Sequence, residues 1–258
     1  MVTNRQIAID FFTALYTGDA ASAVSRHCAS DYVEHQATAR FSRDGLEEYA
    51  LRRRAGHARH EFVIHRAIAD GDFVFLHIEE KFGGTIVARG ELFRVLGGRI
   101  GEHWSAHVVD KTPRRNQNGT FDGPQVDMAK STGARYSRKF DELDRRGFGE
   151  FELATFYSSR TPDYIQHSPT GRDTVEGLVQ VLATLKERGI RMTIDIKRTL
   201  AEGDFLVCHR LYRTDPPFPE FRTINVFDLF RLADDGRAAE HWDIMEEVES
   251  DADLERLF

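Results

Sequence analysis

The sequence predicts an α+β protein built twice over, with two tandem domains that each pack about three N-terminal helices on a curved four-stranded antiparallel meander. Three observations predict it. The chain has 258 residues, long for one compact domain and comfortable for two. Short motifs recur in the same order at a nearly constant offset. Within each copy the apolar period changes from near four to two, which places helices first and strands after.

The repeat is read directly. Tyr32-Val33-Glu34-His35 returns as Tyr164-Ile165-Gln166-His167, a shift of 132 (164 − 32). Gly71-Asp72-Phe73-Val74 returns as Gly203-Asp204-Phe205-Leu206 at the same 132, which brings His77 onto His209. Later, Glu91-Leu92-Phe93-Arg94-Val95 meets Asp228-Leu229-Phe230-Arg231-Leu232 at a shift of 137, and Glu102-His103-Trp104 meets Glu240-His241-Trp242 at 138. The Pro216-Pro217-Phe218-Pro219 insertion and the Asp234-Asp235-Gly236 turn absorb the slip. Lys111 to Thr132 carries Pro, Gly, Asn, Gln, Asp and Lys without a sustained apolar period, the composition of a linker. The expected domains are therefore 1–110 and 133–258, joined by 111–132.

Each element has a local reason. Thr3-x-x-Gln6 is a capping-box pattern, and Ile7, Phe11 and Leu15 follow it at helical spacing, until Gly18-Asp19 ends the helix. A second helix is expected over Ala21 to Cys28 and a third from about Asp44 to Arg54. In the second copy Asp173-x-x-Glu176 is expected to cap a helix with Leu178, Leu182 and Leu185 on one side. Strands follow: Phe62 to Ala69, Phe73 to Phe82, Thr85 to Leu96 and Arg99 to Val109, then their counterparts from Met192, Phe205, Thr223 and Ala238 onward. Gly-Asp and Asp-Gly turns separate them.

Composition narrows the function classes. A hydrophobic share of 41% is that of a globular protein, and a net charge of −7 gives no broad positive field for a phosphate backbone, so no nucleic-acid partner is expected. The run Arg52-Arg53-Arg54 reads as a solvated helix face. Cys28 and Cys208 fall in different domains without metal or redox spacing, and no stretch approaches the ~18 apolar residues of a membrane span. A cytoplasmic protein without membrane partners is the expectation. Glycine-rich phosphate loops and dinucleotide fingerprints are absent, so no cofactor is called for. No metal is expected despite 11 His, because His103 and His107 stand about 13 Å apart along one strand.

Together, Tyr164-Ile165-Gln166-His167-Ser168-Pro169, the Gly203-Asp204 hairpin with Val207-Cys208-His209, Asp228-Leu229-Phe230-Arg231, and Glu240-His241-Trp242-Asp243 resemble a SnoaL-like polyketide cyclase domain. That family belongs to the nuclear transport factor 2-like superfamily, with ketosteroid isomerases, scytalone dehydratase and limonene epoxide hydrolase. The resemblance covers most of each half and implies two cone-shaped domains. It also implies that the halves pair with each other as an internal pseudo-dimer, with further homo-oligomers open. Ser105 stands where the second copy has Asp243, which implies a degenerate or differently tuned first pocket. The aspartate that serves ketosteroid isomerases as base aligns with Ser168 or Gln36, so steroid isomerisation is disfavoured.

Strand parity selects the candidate site residues, because side chains two apart share a sheet face. His241 and Asp243 point one way, and Trp242 the other. Asp228 lies in a row with Ile224, Val226 and Phe230, and burial there makes it a candidate acid. His209 lies in a row with Phe205, Val207 and Leu211. The expected catalytic set is thus Asp228, His241, His209 and Asp243: Asp228 as donor or oxyanion stabiliser, His241 or His209 as base, Asp243 as orienter of an imidazole. Tyr164, His167 and Trp242 are the expected substrate-binding residues, and His35, His77, Glu91 and His103 form a candidate first-domain site. The expectation is a cofactor-independent acid-base enzyme on a small apolar carbonyl or polyketide-like molecule, acting as aldol cyclase, isomerase, dehydratase or epoxide hydrolase. Its rivals are a non-catalytic small-molecule binder and a structural dimerisation module.

Overall fold

A computed structural model describes residues 2–36, 39–55, 60–110, 114–169, 171–218, 221–248, 254 and 257–258. Ala37 beside the first Tyr-x-x-His motif, Lys111 to Pro113 at the head of the expected linker, and Pro219 of the insertion lie outside them. The chain divides into two compact units, Met1–Val109 with Ser250–Phe258, and Asp110–Glu249.

In the first unit α1 (Asn4–Thr17), α2 (Ala20–His27) and α3 (Arg43–Arg54) accompany strands β1 (Cys28–Glu34), β2 (His60–Asp70), β3 (Phe73–Phe82), β4 (Thr85–Leu96) and β5 (Arg99–Val109). The Thr3 hydroxyl accepts from the Gln6 N–H at 3.2 Å, as the capping-box pattern predicts, and Asp19, expected only to end α1, also caps α2 by accepting from Ser22 N–H at 3.1 Å. Strands β2 to β5 pair antiparallel in chain order. A fifth strand, β1, extends the sheet in the order β1-β5-β4-β3-β2 and runs parallel to β5. The Tyr32-Val33-Glu34 stretch was visible as a motif but too short to show a strand period. Helix α1 buries Phe11, Phe12 and Leu15 against Val74, Leu76, Ile78 and Phe93, with Phe11 edge-on to Phe93 at 5.7 Å.

The second unit repeats the plan with α4 (Thr132–Asp144), a π-helical turn Arg145–Gly149, α5 (Leu153–Ser158), β6 (Arg160–Gln166), α6 (Val175–Glu187), β7 (Arg191–Glu202), β8 (Phe205–Phe218), β9 (Phe221–Leu232) and β10 (Ala238–Glu247). Its strand order is β6-β10-β9-β8-β7, again with the outer strand parallel to its neighbour. Phe140, Phe156, Leu182 and Leu185 pack on Leu206, Cys208 and Phe230, which fixes the helix-side face of this sheet. Helix α4 sits close: a Cβ on Gly133 would lie 2.4 Å from the Phe205 carbonyl oxygen.

Three local expectations change. The cap of α6 is Thr174, at φ 74°, whose side chain accepts from Gly177 N–H at 3.3 Å; Asp173 turns instead to the Gln166 N–H at 3.2 Å. Arg53 leaves the solvated face and pairs with buried Glu80, its guanidinium 5.2 Å from the Phe82 ring. The segment 114–132, part of the expected linker 111–132, groups with the second unit. Asn116 Nδ2 donates to the carbonyls of Ser168 and Gly171 at 2.6 and 2.8 Å, Asn118 Nδ2 to that of Gln166 at 3.0 Å, and Arg115 N–H to that of Pro169 at 2.9 Å. Asparagine amides satisfy loop carbonyls without needing an apolar period. Among the described residues, no helix is long and apolar enough to cross a membrane.

Candidate active site in the second half

Register places the polar residues. Strands β9 and β10 pair His241 with Phe230, Asp243 with Asp228 and Met245 with Val226, so these six share the helix-side face. On β8 the residue opposite Asp228 is Cys208, which brings Cys208, Arg210 and Tyr212 to that face. Around them Ile194, Tyr212, Ile224 and Val226 form an apolar cluster that half-buried Phe148, Met192, Ile196 and Met245 complete. Two carboxyls therefore face each other directly across a strand pair at the margin of an apolar surface.

Asp228 is a hub rather than a lone acid among hydrocarbons. Its Oδ1 meets His241 Nε2 at 3.1 Å; its Oδ2 accepts from the Tyr212 hydroxyl and, at 3.3 Å, from Arg210 Nη1. Arg210 also donates to Asp144 Oδ2 at 2.5 Å, and Asp144 pairs with Arg160. Burial pushes the Asp144 carboxyl up, but Arg160 and Arg210 outweigh it and pull it down to about 2.

The perturbed acid is Asp243. Loss of water, with the Asp228 charge adding to it, pushes its carboxyl up to about 6 against the opposing pull of His241 and a hydrogen bond from Ser168. Asp243 is half-buried, whereas Asp228 is 3% exposed, so Asp243 is the more accessible of the two carboxyls. Both ring nitrogens of His241 are engaged, Nε2 by Asp228 and Nδ1 by Gln166 Oε1 at 3.0 Å. Its ring stacks on Phe230 at 4.6 Å. Tyr164 is buried on the same side; burial raises its hydroxyl, which stays protonated, and Gln166 Nε2 donates to it at 3.4 Å.

Three of the expected site residues lie elsewhere. His209 pairs across the ladder with Phe227, on the opposite face; it stacks on that ring at 4.4 Å and meets Asn225 Oδ1 at 2.8 Å. Parity within β8 was sound, but the phase between β8 and β9 is set by the hairpin register. Trp242, with His167 stacked on it, also lies on the opposite face of the sheet. Their rings stack at 4.4 Å, His167 spans Gly119 O and Glu240 Oε2 at 2.9 Å each, and Trp242 Nε1 donates to Asp122 O at 3.1 Å. They anchor the 114–122 segment. Arg210, Tyr212, Asp144 and Gln166 were missed: the first three meet only through long-range packing, while Gln166 shares parity with Tyr164 in a motif the sequence displayed.

The first half divides its candidates in the same way. His35 stacks on Trp104 at 4.5 Å and meets Glu102 Oε2 at 3.2 Å, and His77 meets Arg66 Nη1 at 3.2 Å; neither joins Glu91 and His103. Those two do come together. His103 Nδ1 faces Glu34 at 2.9 Å and Nε2 bonds Glu91, which pairs with Arg89; Arg89 Nη1 continues to Glu80 at 2.9 Å, and Glu80 to Arg53. Three carboxylates thus alternate with His103, Arg89 and Arg53, and all but Arg53 are no more than 1% exposed. Burial alone would push His103 down; Glu34 and Glu91 outweigh it and push the ring up to about 9. Among the described residues, no group of three or more His, Cys, Asp or Glu is placed to hold a metal ion.

The fold and the two clusters define a doubled α+β protein, each half of which carries a histidine between acid and acid or acid and amide on the helix-side face of its sheet. No family model matches the chain, and no curated protein matches it. Solved structures similar to it include TsrD from Streptomyces laurentii, 18% identical, covering 43% of this chain and 89% of its own, with a TM-score of 0.37. IdmH from Streptomyces antibioticus, provisionally a polyketide cyclase, is 21% identical and covers 46% of this chain and 97% of its own, TM-score 0.37. An M. tuberculosis LEH-like epoxide hydrolase is 16% identical and covers 42% of this chain and 80% of its own, TM-score 0.36.

Proposed function

We propose that the second half is a cofactor-independent general acid-base enzyme acting on a small, largely apolar carbonyl or polyketide-like compound. The observation that carries this reading is the placement of Asp243: opposite Asp228, half-buried, pushed up to about 6, and beside Met245 and Val226. A carboxylate with that affinity for a proton is mostly ionised at neutral pH yet more basic than an ordinary aspartate. It takes a proton from the carbon next to a carbonyl; the C–H electrons pass to the carbonyl oxygen as an enolate, and the proton returns to carbon or oxygen as the reaction requires. Aldol cyclisation, isomerisation, dehydration and epoxide opening all use such a group. Tyr164, kept protonated, serves as a donor at the pocket's polar side.

The assay is α-proton exchange of β-tetralone in deuterium oxide, followed by NMR. The wild-type protein is expected to accelerate exchange, and Asp243→Asn to lose at least about 100-fold, the usual scale of a positioned base. Equal rates for the two proteins would remove Asp243 from the role. Binding of β-tetralone without any exchange would instead make the pocket a carrier.

A further inference from the structure

The same strand position is an amide in one half and a carboxylate in the other, Gln166 against Glu34. In both halves the first oxygen of that side chain accepts a backbone N–H two residues on: Ser168 N–H to Gln166 Oε1 at 3.0 Å, and Gln36 N–H to Glu34 Oε1 at 2.9 Å. A backbone N–H is only ever a donor, so the Gln166 atom beside it is the carbonyl oxygen and the amide orientation is fixed. That oxygen is also 3.0 Å from His241 Nδ1. An acceptor there requires the proton on Nδ1. His241 Nε2 then faces Asp228 Oδ1 at 3.1 Å with one proton between them.

We propose that Gln166 is the positioning residue of the second pocket, holding a proton on Nδ1 of His241 so that Nε2 and Asp228 Oδ1 share a single proton. This deepens the acid-base reading and rests on it for its catalytic meaning, though the ring geometry stands without it. The groups that face the ring are Gln166 from β6, Asp228 and Phe230 from β9, and Asp243 from its own strand. Movement of the shared proton from Nε2 to Oδ1 converts imidazolium and carboxylate into imidazole and carboxylic acid, with no other bond changed. Beside Asp243 it offers a proton store that needs no water. Gly171 protects the arrangement, since a Cβ there would lie 2.8 Å from Gln166 Cγ. In the first half Glu34 supplies a full negative charge instead, and with Glu91 on the other side His103 holds protons on both nitrogens.

The test is nitrogen NMR of the full chain with labelled histidine at neutral pH, His241 being assigned by its loss in His241→Gln. The wild type is expected to show His241 protonated on Nδ1 with Nε2 between a bare and a protonated ring nitrogen, and His103 with both nitrogens protonated. Gln166→Met removes the acceptor and is expected to lose the Nδ1 proton, whereas Gln166→Glu keeps it and brings His241 to the doubly protonated pattern of His103. Gly171→Ala, which leaves the amide in place but displaces it, is expected to weaken the Nδ1–H signal. A wild-type ring protonated on Nε2 alone would overturn the proposal without any variant, and so would a Gln166→Met spectrum identical to wild type. Loss of β-tetralone exchange with an intact Nδ1–H signal would sink the enzymatic reading and leave this one standing.

Discussion

Replacing Glu34 by Gln tests the logic of the buried clusters most directly, because the second half already shows an amide doing the same geometric work. The variant keeps an acceptor oxygen for Gln36 N–H and for His103 Nδ1, but removes one of the two anions that offset the cost of burying the ring. His103 is pushed from 6.5 to about 9. The sign follows from linkage: the stabilisation is fully present below the unfolded value and disappears as pH rises through about 9. The shift corresponds to about 3 kcal/mol, with stability falling by about 1.4 kcal/mol per pH unit across that window. Taking away Glu34 should remove at least about half of it. Trp104 and Trp242 are the two tryptophans, one in each half, so Trp242→Phe leaves fluorescence reporting the first half alone. Urea titrations from neutral pH up to about 9 should show a falling midpoint in the Trp242→Phe background and a much flatter one once Glu34→Gln is added. A slope unaltered by Glu34→Gln would refute the claim that His103 is held as a cation by this carboxylate.

Exchange of β-tetralone protons should rise with pH through about 6 and level off above it, since only ionised Asp243 accepts a proton; a rate flat across that region would deny it the role. Asp144→Asn should lower the urea midpoint of the second half by the equivalent of about 3–5 kcal/mol, because it strands Arg160 and Arg210 without their shared partner. In the parent protein the pH-linked part of the Asp144 contribution is present above 3.8 and is lost as pH falls through about 2, so acid should shrink the difference between the two. His209→Gln should leave β-tetralone exchange within about twofold of wild type, since its ring lies on the other face of the sheet; a loss of about 100-fold would place it in the chemistry. His167→Ala should speed amide hydrogen exchange in 114–122 while changing the β-tetralone rate little, and protection unaltered in that segment would contradict its anchoring role.

Much of the architecture was legible because it rests on local signals. The cap at Thr3 and the Gly71 and Gly203 turns are spelled out in consecutive residues. Parity correctly united His241 with Asp243 and opposed Trp242, since all three sit on one strand. It failed for His209 because two strands can be phased only through their ladder, and the ladder sets Cys208, not His209, against Asp228. The parallel fifth strands escaped notice for a related reason: seven residues with a register shift carry too little alternation. Asp228 was singled out for its apolar row, yet Arg210 comes to it from β8 and Asp144 comes to Arg210 from α4, encounters that no spacing along the chain announces. Arg53 shows the converse, a basic residue in a basic run that turns inward because Glu80 waits for it.

The docked segment after the first unit has a mechanical consequence. Asn118 grips the Gln166 carbonyl, Arg114 that of His167, Asn116 those of Ser168 and Gly171, so the stretch that presents the Gln166 amide to His241 hangs from the peptide joining the two copies. On the proposed acid-base reading, that support of the Gln166 amide would also bear on the chemistry of the second half.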